Sequence, residues 1–229
     1  MNDVIDQWNA AADRFAADQE QSAYAEVNRQ VVKARFPRLD GKRVLDLGCG
    51  CGFYTDYFRS IGADALGIDG SEAMLRIARE RYPMTAFASM DITKPLALAD
   101  EAFDLVFANQ VFMDIEELDP VFSQCRRILR PGGILYYSIV HPTFYDCHWL
   151  KNEQGFRYAK VMERYIAPYQ FSNSFWGETQ HFHRPLSCYL NEAAKNGFLL
   201  LETKEPVSYD GKGKNADLPL FFFAEYRKI

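Results

Sequence analysis

The sequence predicts an α/β fold in which a mostly parallel sheet is covered by helices on both faces. Three observations predict it: short apolar runs alternate with amphipathic stretches of helical period from residue 43 onward, most connections are short, and the first apolar run ends directly in glycines. The 229 residues are 48 % apolar and 25 % charged, which suits one compact core and excludes a disordered chain. A net charge of −5 gives no basic surplus to hold a phosphate backbone, so nucleic acid is excluded as a first expectation. No apolar run approaches the roughly 20 residues that span a bilayer, and Met1-Asn2-Asp3-Val4-Ile5-Asp6 lacks a leader pattern, so a cytoplasmic protein with no membrane partner is expected. The five cysteines are odd in number and scattered apart from Cys49-x-Cys51, which implies no disulfide framework.

Apolar positions at helical spacing (Val4, Trp8, Ala11, Phe15, then Tyr24, Val27, Val31, Ala34) predict two helices before the fold proper, an N-terminal cap over residues 1–40. Arg43-Val44-Leu45-Asp46-Leu47 reads as the first buried strand of a domain spanning 41–229. A helix near 53–61, a strand at 65–68, a helix from the Ser71 cap to Arg81, and a strand near 84–88 follow. Then come a strand at 103–108, a helix at about 115–129, a turn at Pro131-Gly132-Gly133, and a fifth strand at 134–140. A helix at 186–196, a strand at 198–201 and a last run at Leu220–Ala224 close the chain.

Between strand five and the late helix lie residues 142–185, far longer than the usual 2–6 residue connection. Eleven of these 44 residues are aromatic, and all four histidines (His141, His148, His181, His183) lie in the segment or at its edge. Such composition suits a lid over the strand ends.

The turn Asp46-Leu47-Gly48-Cys49-Gly50-Cys51-Gly52 sits where a strand gives way to a helix, so bare backbone can approach a ligand. A dinucleotide loop would read G-x-G-x-x-G around a pyrophosphate, whereas this one reads G-x-G-x-G and begins with an acid that would repel one. A cationic or zwitterionic cofactor suits it better. Asp69 closes the second strand, where a carboxylate can take the two hydroxyls of a ribose, and a nucleoside is therefore implied.

These residues resemble a known family. Val44-Leu45-Asp46-Leu47-Gly48-Cys49-Gly50-Cys51-Gly52 is similar to the first motif of the class I S-adenosylmethionine-dependent methyltransferases, and Asp69 to their second-strand acid. Ser89-Met90-Asp91-Ile92, Phe103–Val106 with Asn109, Leu129–Gly133, and the late His183–Ser187 with Gly197-Phe198 resemble later motifs of the small-molecule branch. The resemblance implies a Rossmann-like seven-stranded, mostly parallel sheet whose antiparallel last strand lies between strands five and six. It implies S-adenosyl-L-methionine as cofactor, with its methionine part on Asp46, Gly48, Cys49, Gly50 and Gly52, its ribose on Asp69 and Gly70, and its adenine beside Asp91 and Ile92; Tyr24 and Asn109 are further expected contacts. After strand four the chain has Asn109-Gln110-Val111-Phe112 in place of the Asp/Asn-Pro-Pro-aromatic grip on planar nitrogens, which argues against such acceptors.

Transfer of a methyl group to a small organic acceptor is an in-line displacement that needs alignment and dryness more than a nucleophilic side chain. Where a base helps, histidine suits, and His141 and His181 are the candidates, with Tyr145, Trp149, Trp176 and His183 expected on the substrate side of the lid. The histidines, Asp146 and Cys147 match no compact ligand spacing, so no metal is expected. The competing expectation is a non-catalytic protein that binds the same cofactor as a sensor or structural subunit.

Overall fold

The computed structural model describes residues 4–207 and 218–229. Two helices, α1 (Val4–Gln21) and α2 (Ala23–Arg35), precede strand β1 (Arg43–Leu47), and Ser22 caps α2 by accepting from the Ala25 N–H. Helix α3 (Phe53–Ser60), β2 (Asp64–Asp69), α4 (Glu72–Arg81), β3 (Ala86–Ser89) and β4 (Phe103–Asn109) continue the alternation. Ser71 caps α4 as its position predicts, with Oγ accepting from the Met74 N–H at 3.2 Å. Helix α5 (Leu118–Ile128) leads into β5 (Leu129–Val140); later come α6 (Leu186–Lys195), β10 (Phe198–Lys204) and β11 (Phe221–Lys228).

The main sheet has the order β10-β11-β5-β4-β1-β2-β3, parallel from β3 through β5, with β11 antiparallel to both its neighbours. The Phe-rich final run thus sits between β5 and β10, because Phe221–Phe223 are buried on both faces and only an interior strand covers both. Two elements differ from the sequence reading. The helix expected at about 115–129 begins only at Leu118, and a 3-10 turn at Phe112–Asp114 that was not expected precedes it, since Ile115 leaves that turn in extended conformation. The Pro131-Gly132-Gly133 turn is absorbed into β5 as an irregularity: pairing with β4 jumps from Phe103↔Leu129 to Leu105↔Ile134.

The 142–185 insertion forms two antiparallel hairpins, β6 (His148–Lys151) with β7 (Arg157–Val161), and β8 (Tyr169–Asn173) with β9 (Thr179–His183). The second packs on α1: the Gln180 N–H donates to Gln7 Oε1 at 2.8 Å, and the Trp176 ring meets those of Trp8 and Phe15 at 6.1 and 5.0 Å. Helix α1 is held in turn by α4, whose Ser71 Oγ and Ala73 N–H donate to Asn9 Oδ1. Helix α2 is tied to β11 by Arg35, which donates bidentately to the buried Glu225 at 2.5 and 2.6 Å.

Candidate functional site

In an open α/β sheet a ligand crevice opens at the carboxyl ends of the strands where the strand order reverses, here between β1 and β4. A cavity of about 1160 Å³ lies there, bounded on one side by Gly48, Gly50, Asp69 and Gly70. Gly48 has φ +71°, and a Cβ on it would stand 2.6 Å from Val111 Cγ2, so this wall is necessarily bare backbone. The loop is anchored from behind by the Gly48 and Cys49 N–H groups, which donate to the Ile68 carbonyl. Asp69 takes one N–H on each carboxylate oxygen, from Gly50 and from Ser71, both at 2.8 Å. Burial raises its pKa, and those N–H groups oppose the shift.

Of the expected cofactor residues, Tyr24, Gly48, Gly50, Asp69, Gly70, Asp91, Ile92 and Asn109 line the cavity. Asp91 is pinned in a turn by accepting from the Thr93 N–H and hydroxyl, and Asn109 Oδ1 accepts from Ser138 Oγ at 2.7 Å. Asp46, Cys49 and Gly52 stand behind the wall. The Asp46 carboxylate is 2 % exposed and accepts from the Thr55 hydroxyl at 2.6 Å, which braces the loop against α3; burial pushes its pKa up to about 7. Gly52, φ +83°, is pressed against Phe87 and Ala78, with room for no Cβ.

Opposite this wall stand Tyr145, Trp149, Trp176 and His181, four of the residues expected there. His141 and His183 are turned away. His141 Nδ1 accepts from the Thr143 N–H at 3.1 Å and Nε2 lies 2.7 Å from Glu205 Oε1, so both ring nitrogens are spent on the turn after β5. His183 Nε2 reaches the Tyr165 carbonyl, and its ring stacks on Tyr169. His181 instead faces a group the sequence reading missed. Its Nδ1 lies 3.3 Å from Oδ1 of Asp114, on the 3-10 turn after β4, and the two side chains are 2 and 10 % exposed. Burial lowers the imidazole pKa to about 4 and raises the Asp114 carboxyl well above the usual range. Trp8 Nε1 donates to Asp114 Oδ2 at 3.1 Å.

Gln110 was missed as well. It holds φ +59°, a left-handed conformation rare outside glycine, at the tip of β4 on the cavity wall, and its amide donates to Ser138 Oγ at 3.0 Å. Neither residue carries a sequence signal of its own: Gln110 stands where the Asp/Asn-Pro-Pro-aromatic pattern is absent, Asp114 lies beyond it, and their partners lie 28 and 67 residues along the chain.

Residues 45–137 match the family described as a methyltransferase domain. The chain is 39 % identical over 100 residues to a malonyl-[acyl-carrier protein] O-methyltransferase from Methylococcus capsulatus, covering 42 % of this chain and 36 % of that protein. It is 34 % identical over 115 residues to a ubiquinone biosynthesis O-methyltransferase from Sinorhizobium medicae, covering 48 % of this chain and 46 % of the relative. The chain therefore spans half or less of the length of these curated relatives. A solved S-adenosylmethionine-dependent methyltransferase from Mesorhizobium loti superposes with a TM-score of 0.75 at 26 % identity, over 88 % of this chain and 98 % of that one. Residues 45–137 thus carry the likeness to a methyltransferase domain, and the fold is that of a solved S-adenosylmethionine-dependent methyltransferase, whose cofactor is S-adenosyl-L-methionine. The residues present fit that cofactor: a bare backbone cradle at Gly48 and Gly50 stands beside a carboxylate at the tip of β2. Among the described residues no helix is long and apolar enough to cross a membrane.

Proposed function

We propose that this protein transfers a methyl group from S-adenosylmethionine to a small organic acceptor, with Gly48 and Gly50 against the methionine part, Asp69 and Gly70 at the ribose, and Asp91 and Ile92 beside the adenine. The observation that carries this is the cavity, about 1160 Å³ and continuous from Gly48 and Asp69 to Tyr145 and His181. Pockets for one drug-sized molecule run roughly 300–1,000 Å³, so there is room for cofactor and acceptor together. When bound, the cofactor supplies an electrophilic methyl on a sulfonium.

The chain's own part is to align the acceptor and keep water out. The 142–185 insertion acts as the lid, with its second hairpin zipped to α1 through Trp176, Trp8 and Phe15. Its ring faces suit a neighbouring cation. A sensor that only bound the cofactor would need the glycine wall alone, not a second wall of Tyr145, Trp149 and His181. A cytoplasmic location belongs to the same reading and is supported by the five unpaired cysteines.

Calorimetry with S-adenosylhomocysteine tests the cofactor half. Wild type should bind, and Asp69→Ala should bind at least tenfold more weakly, since the carboxylate both braces Gly50 and faces the cavity. Unchanged affinity in Asp69→Ala, with the fold intact by circular dichroism, would overturn the assignment of Asp69.

A further inference from the structure

We infer that Asp114 and His181 form the proton-accepting pair for methyl transfer, and that the acceptor is an uncharged molecule presenting a hydroxyl. This rests on the methyltransferase reading and adds to it the acceptor chemistry.

The geometry of the pair comes first. Asp114 Oδ1 and His181 Nδ1 lie 3.3 Å apart, yet neither has a well-aligned hydrogen-bond partner, although both are buried from water. Folded proteins satisfy nearly all buried polar groups, and exceptions concentrate where a ligand or reaction completes them. The rest of both side chains is fixed. Oδ2 of Asp114 accepts from Trp8 Nε1, and the imidazole packs in a three-ring cluster with Tyr145 and Phe171, whose centroids are 6.2 and 5.3 Å away.

The neighbours also settle which nitrogen carries the proton. Asn173 Oδ1 accepts from the Phe175 N–H at 3.0 Å, which fixes the amide orientation and leaves Nδ2 as a donor. That Nδ2 donates to Tyr145 Oη at 3.0 Å and approaches His181 Nε2 at 3.5 Å. Nε2 is therefore an acceptor, the proton sits on Nδ1, and it faces Asp114. With Nδ1 directed at the Asp114 carboxyl group 3.3 Å away, Nε2 is left as the lone-pair nitrogen that can take a proton, and closure of the Nδ1–H contact on Asp114 would stabilise the imidazolium as it forms. The 3.5 Å contact to Asn173 is long enough for an acceptor hydroxyl to replace it.

Charge on the cavity wall then selects the acceptor. Asp18, Asp69, Asp91, Asp114, Glu117 and Asp146 are among the acids that line it, and the described lining residues include no arginine and only Lys94 and Lys160 as lysines. Lys160 is already donating to the Phe144 carbonyl and lies over the Trp149 ring. A carboxylate would meet no bidentate clamp and much repulsion. An ammonium would be held in its protonated form, without the lone pair that attacks. An uncharged hydroxyl suffers neither penalty.

In the transfer the acceptor O–H breaks and its proton passes to His181 Nε2. The oxygen's electron pair forms the new O–CH3 bond, and the pair of the breaking S–CH3 bond stays on sulfur, which leaves as the neutral thioether S-adenosylhomocysteine. Positive charge is lost at sulfur and gained at the imidazole beside Asp114, so the net charge of the cavity does not change. The proton then returns to water.

The test uses the full chain, with wild type, His181→Gln and Asp114→Asn compared. Nitrogen-15 NMR of labelled histidine, His181 being assigned by its loss in the Gln variant, should show the Nδ1–H tautomer in wild type and its disturbance in Asp114→Asn. Methyl transfer is then measured on matched phenols, enols, carboxylic acids and amines. Hydroxyl acceptors should be preferred, with kcat falling at least 100-fold in His181→Gln and less in Asp114→Asn, KM changing under threefold, and S-adenosylhomocysteine affinity kept. The acidic limb of the wild-type kcat/KM profile, set by the pair together with Asp69, Asp146 and Tyr145 around it, should be lost in His181→Gln. If the protein binds neither the cofactor nor its demethylated product, the methyltransferase reading falls and this one with it. If binding is normal but His181 is the Nε2–H tautomer, or kcat survives within threefold in His181→Gln, the pair alone is overturned. Preference for a carboxylate or amine, or no turnover of any hydroxyl, overturns the acceptor class.

Discussion

On the side of β1 and β2 the cavity wall is mostly backbone. Gly48 and Gly50 present peptide groups, and Asp69 is clamped by N–H donors of the same loop. On the opposite side the wall is side chain, with Tyr145, Phe171, Trp176 and His181 projecting from an insertion that reaches the sheet through hairpins. The contrast teaches how each half can change. A backbone wall has no side chain to trim, so substitution there acts through steric conflict and is close to all-or-none. A side-chain wall can be altered one ring at a time, so under the proposed methyl transfer acceptor specificity would vary there while cofactor binding stays fixed.

The sharpest break of that comparison is Gly52→Ala. The new Cβ would lie 2.6 Å from Phe87 Cζ and 2.9 Å from Ala78 Cβ, at φ +83°. Overpacking plus a left-handed alanine should cost about 3–4 kcal/mol, read as a lower urea midpoint with unchanged m-value. A loss under about 1 kcal/mol would mean that the wall is more yielding than its packing implies.

Trp176→Ala should cost less, about 2 kcal/mol, because the ring is only half-buried and its contacts with Trp8 and Phe15 hold the hairpin to α1 rather than the sheet to itself. Hydrogen exchange should quicken in α1 and the β8–β9 hairpin while β1 and β4 keep their protection. Equal quickening in the sheet would show that the two halves are not separable.

The smallest effect is a pH slope behind the backbone wall. The Asp46 carboxyl titrates near 7 in the fold against an ordinary value of 3.8, because it is buried. A raised folded pKa gives stability that is complete below about pH 4 and is lost as pH rises through 7, so burial of this group works against the fold at neutral pH. About three pH units set an upper bound of ~4 kcal/mol, which solvent relaxation should reduce to ~1–2 kcal/mol. Whatever constant cost the amide brings, the stability of Asp46→Asn relative to wild type should improve between pH 4.5 and 8, measured by urea unfolding across that range. His181 has the opposite sign: its folded pKa near 4 removes stability as pH falls from 6.5 toward 4. A relative stability of Asp46→Asn that is flat with pH would show that the carboxylate reaches water.

Sequence determined the backbone half because local chemistry dictates it. A glycine run after a buried strand and an acid closing the next one can be read along the chain, since the fold brings strand tips together in an order set by short right-handed connections. The aromatic insertion was legible as composition, but its hairpins and their grip on α1 were not. Only the tertiary structure decided among the histidines: His141 spends both ring nitrogens and His183 its Nε2 on the chain, whereas His181 meets Asp114 from 67 residues away. Such a pairing leaves no periodic mark. Which side chain faces a cavity depends on how distant segments pack, and burial, which shifts both groups of the pair, exists only once they have packed.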